Sequence, residues 1–230
     1  MPTLLSPFNS GKYIKKQEPA FADIHKFILS VEAPRFPFPV DKKKAAKGKE
    51  LFTKHCARCH GSYGPDGSYP NKVVPLADIG TDPLLARALT DKLVDHFNRS
   101  WFGQEKGPGG KPIRVVRKRG YQAPPLDGVW ATAPYFHNAS VPTVYHVLNS
   151  RARPKRFTRS YGGEKEDYDA VKLGLQFTVP GRAPAAATPA RERRQIYDTT
   201  LPGRNNAGHT FGDALREEER TAVIEYLKTL

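Results

Sequence analysis

The sequence predicts a mostly α protein of short helices joined by long, ordered loops. Amphipathic segments recur at helical rather than strand spacing. Hydrophobic residues make up only 38% of the chain, and 21 Pro with 19 Gly interrupt it too often for long helices or a dense sheet. At 230 residues the chain amounts to one large domain or one domain with appendages, read here as a lead at 1–40 and a main domain at 41–230.

Residues 1–20 read as a polar lead. A short amphipathic helix is predicted over Phe21–Val31, with Ile24, Phe27, Ile28 and Val31 at helical spacing. The Pro-rich stretch that follows, through Asp41, is too rigid for helix and suits a strap lying along a surface. Asp41 is placed to cap a helix over Lys42–His55, with Leu51 and Phe52 turned inward. A Gly-, Pro- and Tyr-rich loop covers 62–74. Asp82–Asn98 reads as one helix, Asp82 capping and Pro83 leading, with Leu84, Leu85, Ala88, Leu89, Leu93 and Phe97 on one face. Residues 103–125 form a basic Gly/Pro loop, Val141–Asn149 a short helix, and 151–212 a mostly irregular stretch with an Ala/Pro-rich insertion at 180–189. The last helix is Ala214–Leu230, its apolar face formed by Leu215, Ala222, Val223, Tyr226, Leu227 and Leu230.

Chemistry concentrates in Cys56-Ala57-Arg58-Cys59-His60, which uses both cysteines of the chain. Two thiols at this spacing can form thioethers with one edge of a porphyrin, and the imidazole directly after them can bind iron. The motif therefore predicts covalently bound haem c, with Cys56 and Cys59 as anchors and His60 as proximal ligand. A zinc site would want a second Cys or His pair at close spacing. A thioredoxin-like dithiol would follow a buried strand, whereas Lys42–His55 reads as a polar helix. A disulfide across so short a loop would remove little chain entropy. Neither a dithiol nor a disulfide needs His60.

With its lead-in GKELFTKHCARCHGSYG and its closing helix, the chain resembles bacterial cytochrome c domains. PLDGVWATAPYFHNASVPTVYHVL (Pro125–Leu148) resembles the di-haem cytochrome c peroxidase superfamily. NKVVPLADIGTD (Asn71–Asp82) and YDTTLPGRNNAGHTFG (Tyr197–Gly212) are similar to its rubber-oxygenase-like branch. The resemblance implies a cytochrome c-like fold with long loop insertions and one covalent haem, standing as the C-terminal haem domain of a two-haem protein. In such cytochromes the last helix packs across the helix preceding the motif. FILSV at Phe27–Val31 echoes YLKTL at Tyr226–Leu230, so residues 21–31 read as a remnant of a preceding haem domain.

The opposite face of the iron decides between electron transfer and chemistry on a bound substrate. The only Met is Met1, so an internal Met ligand is excluded by composition. His55 abuts the motif, His25 and His96 lie on amphipathic helices, and His146 reads as facing a helix surface. In the peroxidases the segment around His137 lies near the haem and a Met ligand follows it, but the matching position here falls near Arg151. The resemblance implies a His ligand at His209, in the Gly-rich loop GRNNAGHTFG, and glycines there permit close backbone approach to a flat cofactor. His209 is the favoured sixth ligand and His137 the second candidate, with an open position the remaining alternative. Two imidazoles would give low-spin iron of low potential. Trp130 and Tyr135 could pack on the ring, or be core aromatics with hydrogen-bonded tips.

The resulting expectation is a domain that passes single electrons. A haem-based peroxidase or oxygenase and an electron-accepting module of a dehydrogenase are the alternatives. The net charge of +14 falls in clusters at Lys111–Arg119, Arg151–Arg159 and Arg191–Arg194. No nucleic-acid motif accompanies them, so they suit another haem domain, an acidic redox partner, haem propionates or plain solvation. No apolar run is long enough to span a membrane. Haem c assembly in bacteria requires export, which predicts a periplasmic or otherwise extracytoplasmic location. The N-terminus lacks a signal peptide, so the sequence is expected to be a fragment, a mature form or a mis-assigned gene start.

Overall fold

The computed structural model describes residues 11–107 and 110–230. The first ten residues of the predicted lead, and two positions of the basic loop, lie outside the described residues. The helices, in order, are α1 (Gly11–Lys16), α2 (Glu18–Ser30), α3 (Lys42–His55), α4 (Ala57–His60), α5 (Leu76–Ile79), α6 (Leu84–Ala88), α7 (Asp91–Arg99), α8 (Trp101–Gln104), α9 (Val144–Leu148), α10 (Ala190–Gln195) and α11 (Glu217–Leu227). Short strands β1 (Val73–Pro75), β2 (Gly120–Gln122), β3 (Arg156–Arg159), β4 (Tyr168–Asp169), β5 (Gly174–Leu175), β6 (Phe177–Thr178) and β7 (Tyr197–Asp198) lie between them. Among the described residues, helices with their 3-10 turns cover 41% and strands with isolated bridges 11%. Helix thus exceeds strand without forming the bulk of the molecule, because Pro- and Gly-rich connections take the rest.

Of the described residues, those from Gly11 to Ala33 group with Arg87–Lys118 as one compact unit, and Pro34–Ala86 with Arg119–Leu230 as another. In the first unit α2 buries none of its residues, and Phe27 and Leu29 are 68% and 71% exposed. α7 begins at Thr90, whose hydroxyl accepts from the Leu93 N–H at 3.2 Å. The predicted helix Asp82–Asn98 is therefore two: Asp82 accepts from Leu84 N–H and caps α6, and Thr90 restarts the chain as α7. Leu84 and Leu85 are each 58% exposed rather than turned inward. At the end of α7 the Asn98 amide both donates to and accepts from the main chain of Val115, pinning the basic loop.

The second unit is built on the crossing of α3 with α11. Asp41 caps α3 as predicted, accepting from Lys44 N–H at 3.0 Å, and its own N–H donates to Glu225 of α11 at 2.9 Å. The helices meet at Gly48, where a Cβ would lie 1.9 Å from the Ala222 carbonyl oxygen. Phe52, one turn on, packs with Val223, Leu227, Val144, Leu148 and Tyr135 in the core. α9 starts later than predicted, capped by Thr143. The 151–212 stretch contains an antiparallel sheet ordered β6-β3-β7 and the pair β4-β5, while β1 and β2 pair with Val74 opposite Tyr121. The Pro-rich strap lies on this unit: Phe36 packs edge-on to Trp130 at 5.6 Å, and the Trp130 indole N–H donates to Pro34 O at 2.8 Å.

Asp213 joins the segment before α11 to the end of α9, accepting from the Ser150 N–H and hydroxyl at 2.8 and 2.6 Å. Burial alone would raise its pKa, but these bonds and the charges of Arg153 and Arg151 outweigh it, leaving the carboxyl below its ordinary value. A depressed folded pKa contributes stability that is present above the unfolded value, about 3.9, and is lost as pH falls through the folded one. Urea midpoints of Asp213→Asn and the parent should therefore differ most at neutral pH and converge below about pH 3. A gap that persists unchanged in acid would remove the carboxylate from that role.

Candidate functional site

The end of α3 delivers the thiols. Cys56 N–H still donates to Phe52 O at 2.8 Å, and the single turn of α4 places Cys59 and His60 beside it. Burial, then the neighbouring Cys59, pushes the Cys56 thiol up to about 11, so it is protonated at neutral pH. His60 Nδ1 lies 2.9 Å from the Pro124 carbonyl oxygen. A carbonyl only accepts, so the proton sits on Nδ1 and Nε2 keeps its lone pair for a metal. Burial lowers the His60 pKa, which favours the neutral ring. Tyr63, a residue the motif does not announce, bridges His60 O and Leu126 N–H through its hydroxyl at 3.0 and 2.7 Å.

Both cysteines and His60 open onto a cavity of about 500 Å³, within the size that cofactor sites occupy. One wall is the core itself, with Phe52, Val144, Leu148, Val223 and Leu227, and another is the segment Tyr121–Asp127. The sites of both helix crossing and thiol attachment thus share side chains, which ties the cavity's shape to the packing of α3 on α11.

His209 also lines this cavity, and its ring centroid lies 6.2 Å from that of His60. The backbone at His209 is left-handed, with φ of 46°, and its N–H donates to Ile79 O at 2.6 Å. Gly208, φ 75°, makes this possible: a Cβ there would fall 2.2 Å from the Gly80 carbonyl carbon. The close approach permitted by this glycine is therefore to the 79–81 backbone, not to the cavity. Phe136 and Phe211 flank the ring at 5.9 and 5.2 Å. Burial, then His60, holds the His209 pKa down to about 4, against the carbonyls of His209 and Val147. Its Nδ1 is shielded from solvent and meets no hydrogen-bond partner.

These residues fit a haem. A metal–imidazole bond is about 2.0–2.1 Å, and a ring nitrogen lies about 1.1 Å from its ring centre, so two imidazoles on opposite sides of one iron have centroids about 6.2–6.4 Å apart. The observed spacing falls in that window. A neutral His60 with its Nε2 free, a thiol pair, and an apolar cavity complete the donor set.

The other candidates lie elsewhere or make other bonds. His137 lines the cavity, but its ring stacks on Tyr121 at 4.0 Å and 16°. Trp130 is not among the lining residues and packs in the strap cluster with Phe36 and Tyr168. Tyr135 lines the cavity, with its hydroxyl donating to Val129 O at 3.1 Å and lying 3.2 Å from Leu173 O. His55 lines the cavity on the thiol side, whereas His25 and His96 are exposed in the other unit. His146 does not face a helix surface. It is 5% exposed, with Nδ1 2.7 Å from the Thr143 hydroxyl and an edge-on contact with Phe177, because α9 is packed on more than one side.

The family model described as "RoxA-like, cytochrome c-like" matches residues 120–158, and that of "Cytochrome C oxidase, cbb3-type, subunit III" matches residues 43–100. The first covers the cavity's far wall and α9, and the second covers α3 and the attachment motif. Among curated proteins, "Uncharacterized protein y4iM" of Sinorhizobium fredii (strain NBRC 101917 / NGR234) is 31% identical over 88% of this chain and 52% of its own length. "Uncharacterized protein y4iJ" of the same strain is 29% identical over 88% of this chain and 42% of its own length. The chain thus spans about half the length of the curated relatives it matches. With the attachment segment and the facing wall each matched, the chain is a cytochrome c domain of the RoxA-like branch, and such a domain binds covalently attached haem c.

Proposed function

We propose that this domain carries one haem c and relays single electrons. In this reading His60 and His209 would hold the iron, and Cys56 and Cys59 would anchor the porphyrin through thioethers. The observation that carries the reading is the 6.2 Å spacing of the two imidazole rings across the cavity. When bound, the haem supplies a one-electron ferric/ferrous couple. The chain's residues do the remaining work. Pro124 fixes the His60 tautomer, Tyr63 holds the motif's main chain, and Phe52, Val223 and Leu227 give the cavity an apolar wall. Two strong ligands would leave no position for peroxide or dioxygen, which favours a relay over an enzyme.

Carbon monoxide provides the test. The ferrous protein as isolated is expected to bind it slowly and incompletely, since His209 must leave first. Immediate, stoichiometric binding would overturn the closed coordination and turn the site into a reagent. Cytochrome c domains are typically extracytoplasmic, and we place this one in the periplasm. Among the described residues no helix is long and apolar enough to cross a membrane. The exposed apolar residues of α2 and the net charge of +14 suit exchange with another haem domain or an acidic redox protein.

A further inference from the structure

One half-buried cation behind the site is left without a role by this reading. Arg153 follows α9, and its guanidinium gives its hydrogen bonds to main-chain carbonyls. Nε donates to His146 O at 2.8 Å, Nη1 to Asn206 O and Gly208 O at 2.7 Å each, and Nη2 to Val147 O and His209 O at 3.1 and 3.2 Å. Its face covers the Phe136 ring at 4.9 Å. Among the described residues no carboxylate forms an ion pair with it, and Asp213 acts on it only through space. Burial lowers its pKa to about 10, so it stays charged at neutral pH.

Two consequences follow from this placement. Three of the five carbonyls belong to the loop that presents His209, and two belong to α9, so one rigid fork ties the loop to the core. A left-handed non-glycine backbone persists only where its surroundings over-determine it, and His209 is such a residue. Among the described residues no ion pair neutralises the positive charge, and it acts through space on the His209 imidazole. A fixed cation in a poorly solvated site disfavours a further positive charge nearby, and ferric iron carries one more than ferrous.

We propose that Arg153 is a positioning residue for the haem site: its fork holds His209 toward His60, and its unpaired charge raises the iron's potential above that expected for two imidazoles alone. The inference rests on His209 as the sixth ligand.

The test uses the haem-loaded protein, with spin state and midpoint potential as readouts. Arg153→Lys keeps the charge and loses the fork, and should hold the potential while gaining a high-spin fraction. Arg153→Met loses both, and its low-spin population should titrate lower by about 59 mV or more, a tenfold shift in the ferric/ferrous ratio. Arg151→Met removes a charge two residues away on an exposed side chain and should change neither readout. A parental spectrum and potential in Arg153→Met, or an equal drop in Arg151→Met, would overturn the proposal. If Arg153→Met fails to load haem, a fully low-spin Arg153→Lys overturns the fork. A low-spin His209→Ala would instead show that the ligand reading, not the Arg153 inference, had failed.

Discussion

In the haem-loaded protein, His209→Ala is expected to convert the low-spin ferric spectrum that two imidazoles would give into a high-spin or water-ligated one, with complete loss of the low-spin form. No second side chain is placed to take over. The His137 ring is stacked on Tyr121, the His146 Nδ1 is engaged by Thr143, and the chain has no internal Met. The substitution also leaves the left-handed backbone at 209 with a residue no better suited to it, so the loop itself must be checked. Added imidazole should refill the vacated space and restore the low-spin spectrum. An unchanged spectrum in His209→Ala would remove His209 from the site. Conversion by His137→Ala instead would move the ligand to the neighbouring segment.

The second large effect is on folding. Gly48→Val should lower stability by about 3 kcal/mol or more, because overpacking at a close contact costs about 1–3 kcal/mol even where neighbours can shift. Here the obstacle is the Ala222 main-chain oxygen, with the next-nearest atoms being its own carbonyl carbon and Tyr226 Cβ. Gly48→Ala is the sharper comparison. In a free helix it would gain about 1 kcal/mol, so a loss of stability in the urea midpoint isolates the cost of separating the helices. A neutral or stabilised Gly48→Ala would show that the helices need not approach so closely. Haem loading should fall with stability, since Phe52 and Val223 belong both to the crossing and to the cavity wall.

The parts of the fold legible from sequence were those set by neighbours along the chain. Asp41 announces α3 by its capping carboxylate oxygen and the helical spacing behind it. The five-residue motif announces its cofactor because thiols and imidazole must be adjacent to reach one ring edge. His209 is signalled only indirectly, by the lack of an internal Met and by a family pattern. Tertiary burial was not legible. His146 reads as a surface imidazole until β6 and Thr143 are placed beside it. The leucines of α6 read as a buried stripe although they stay exposed. Arg153 is the least legible of all. It lies inside a basic cluster, and arginines in such clusters ordinarily face water. Arg220, 5% exposed and donating to the Leu148 and Leu215 carbonyls, is hidden differently: it follows three glutamates on a strongly charged helix start, where an exposed ion pair is the ordinary reading. Only the fold reveals that these two guanidinium groups serve as internal ties.

The meeting of α3 with α11 also has a consequence for the order of events during synthesis. The attachment motif follows the early partner, while part of the wall around it, Val223 and Leu227, belongs to the late one. A nascent chain therefore presents two bare thiols long before the residues that shelter them exist. Non-local closure of this kind is slow, because the intervening chain must be ordered first. During that interval the thiols are open to whatever oxidant or haem-delivery machinery meets the chain, and the late helix acts as the latch that ends the exposure.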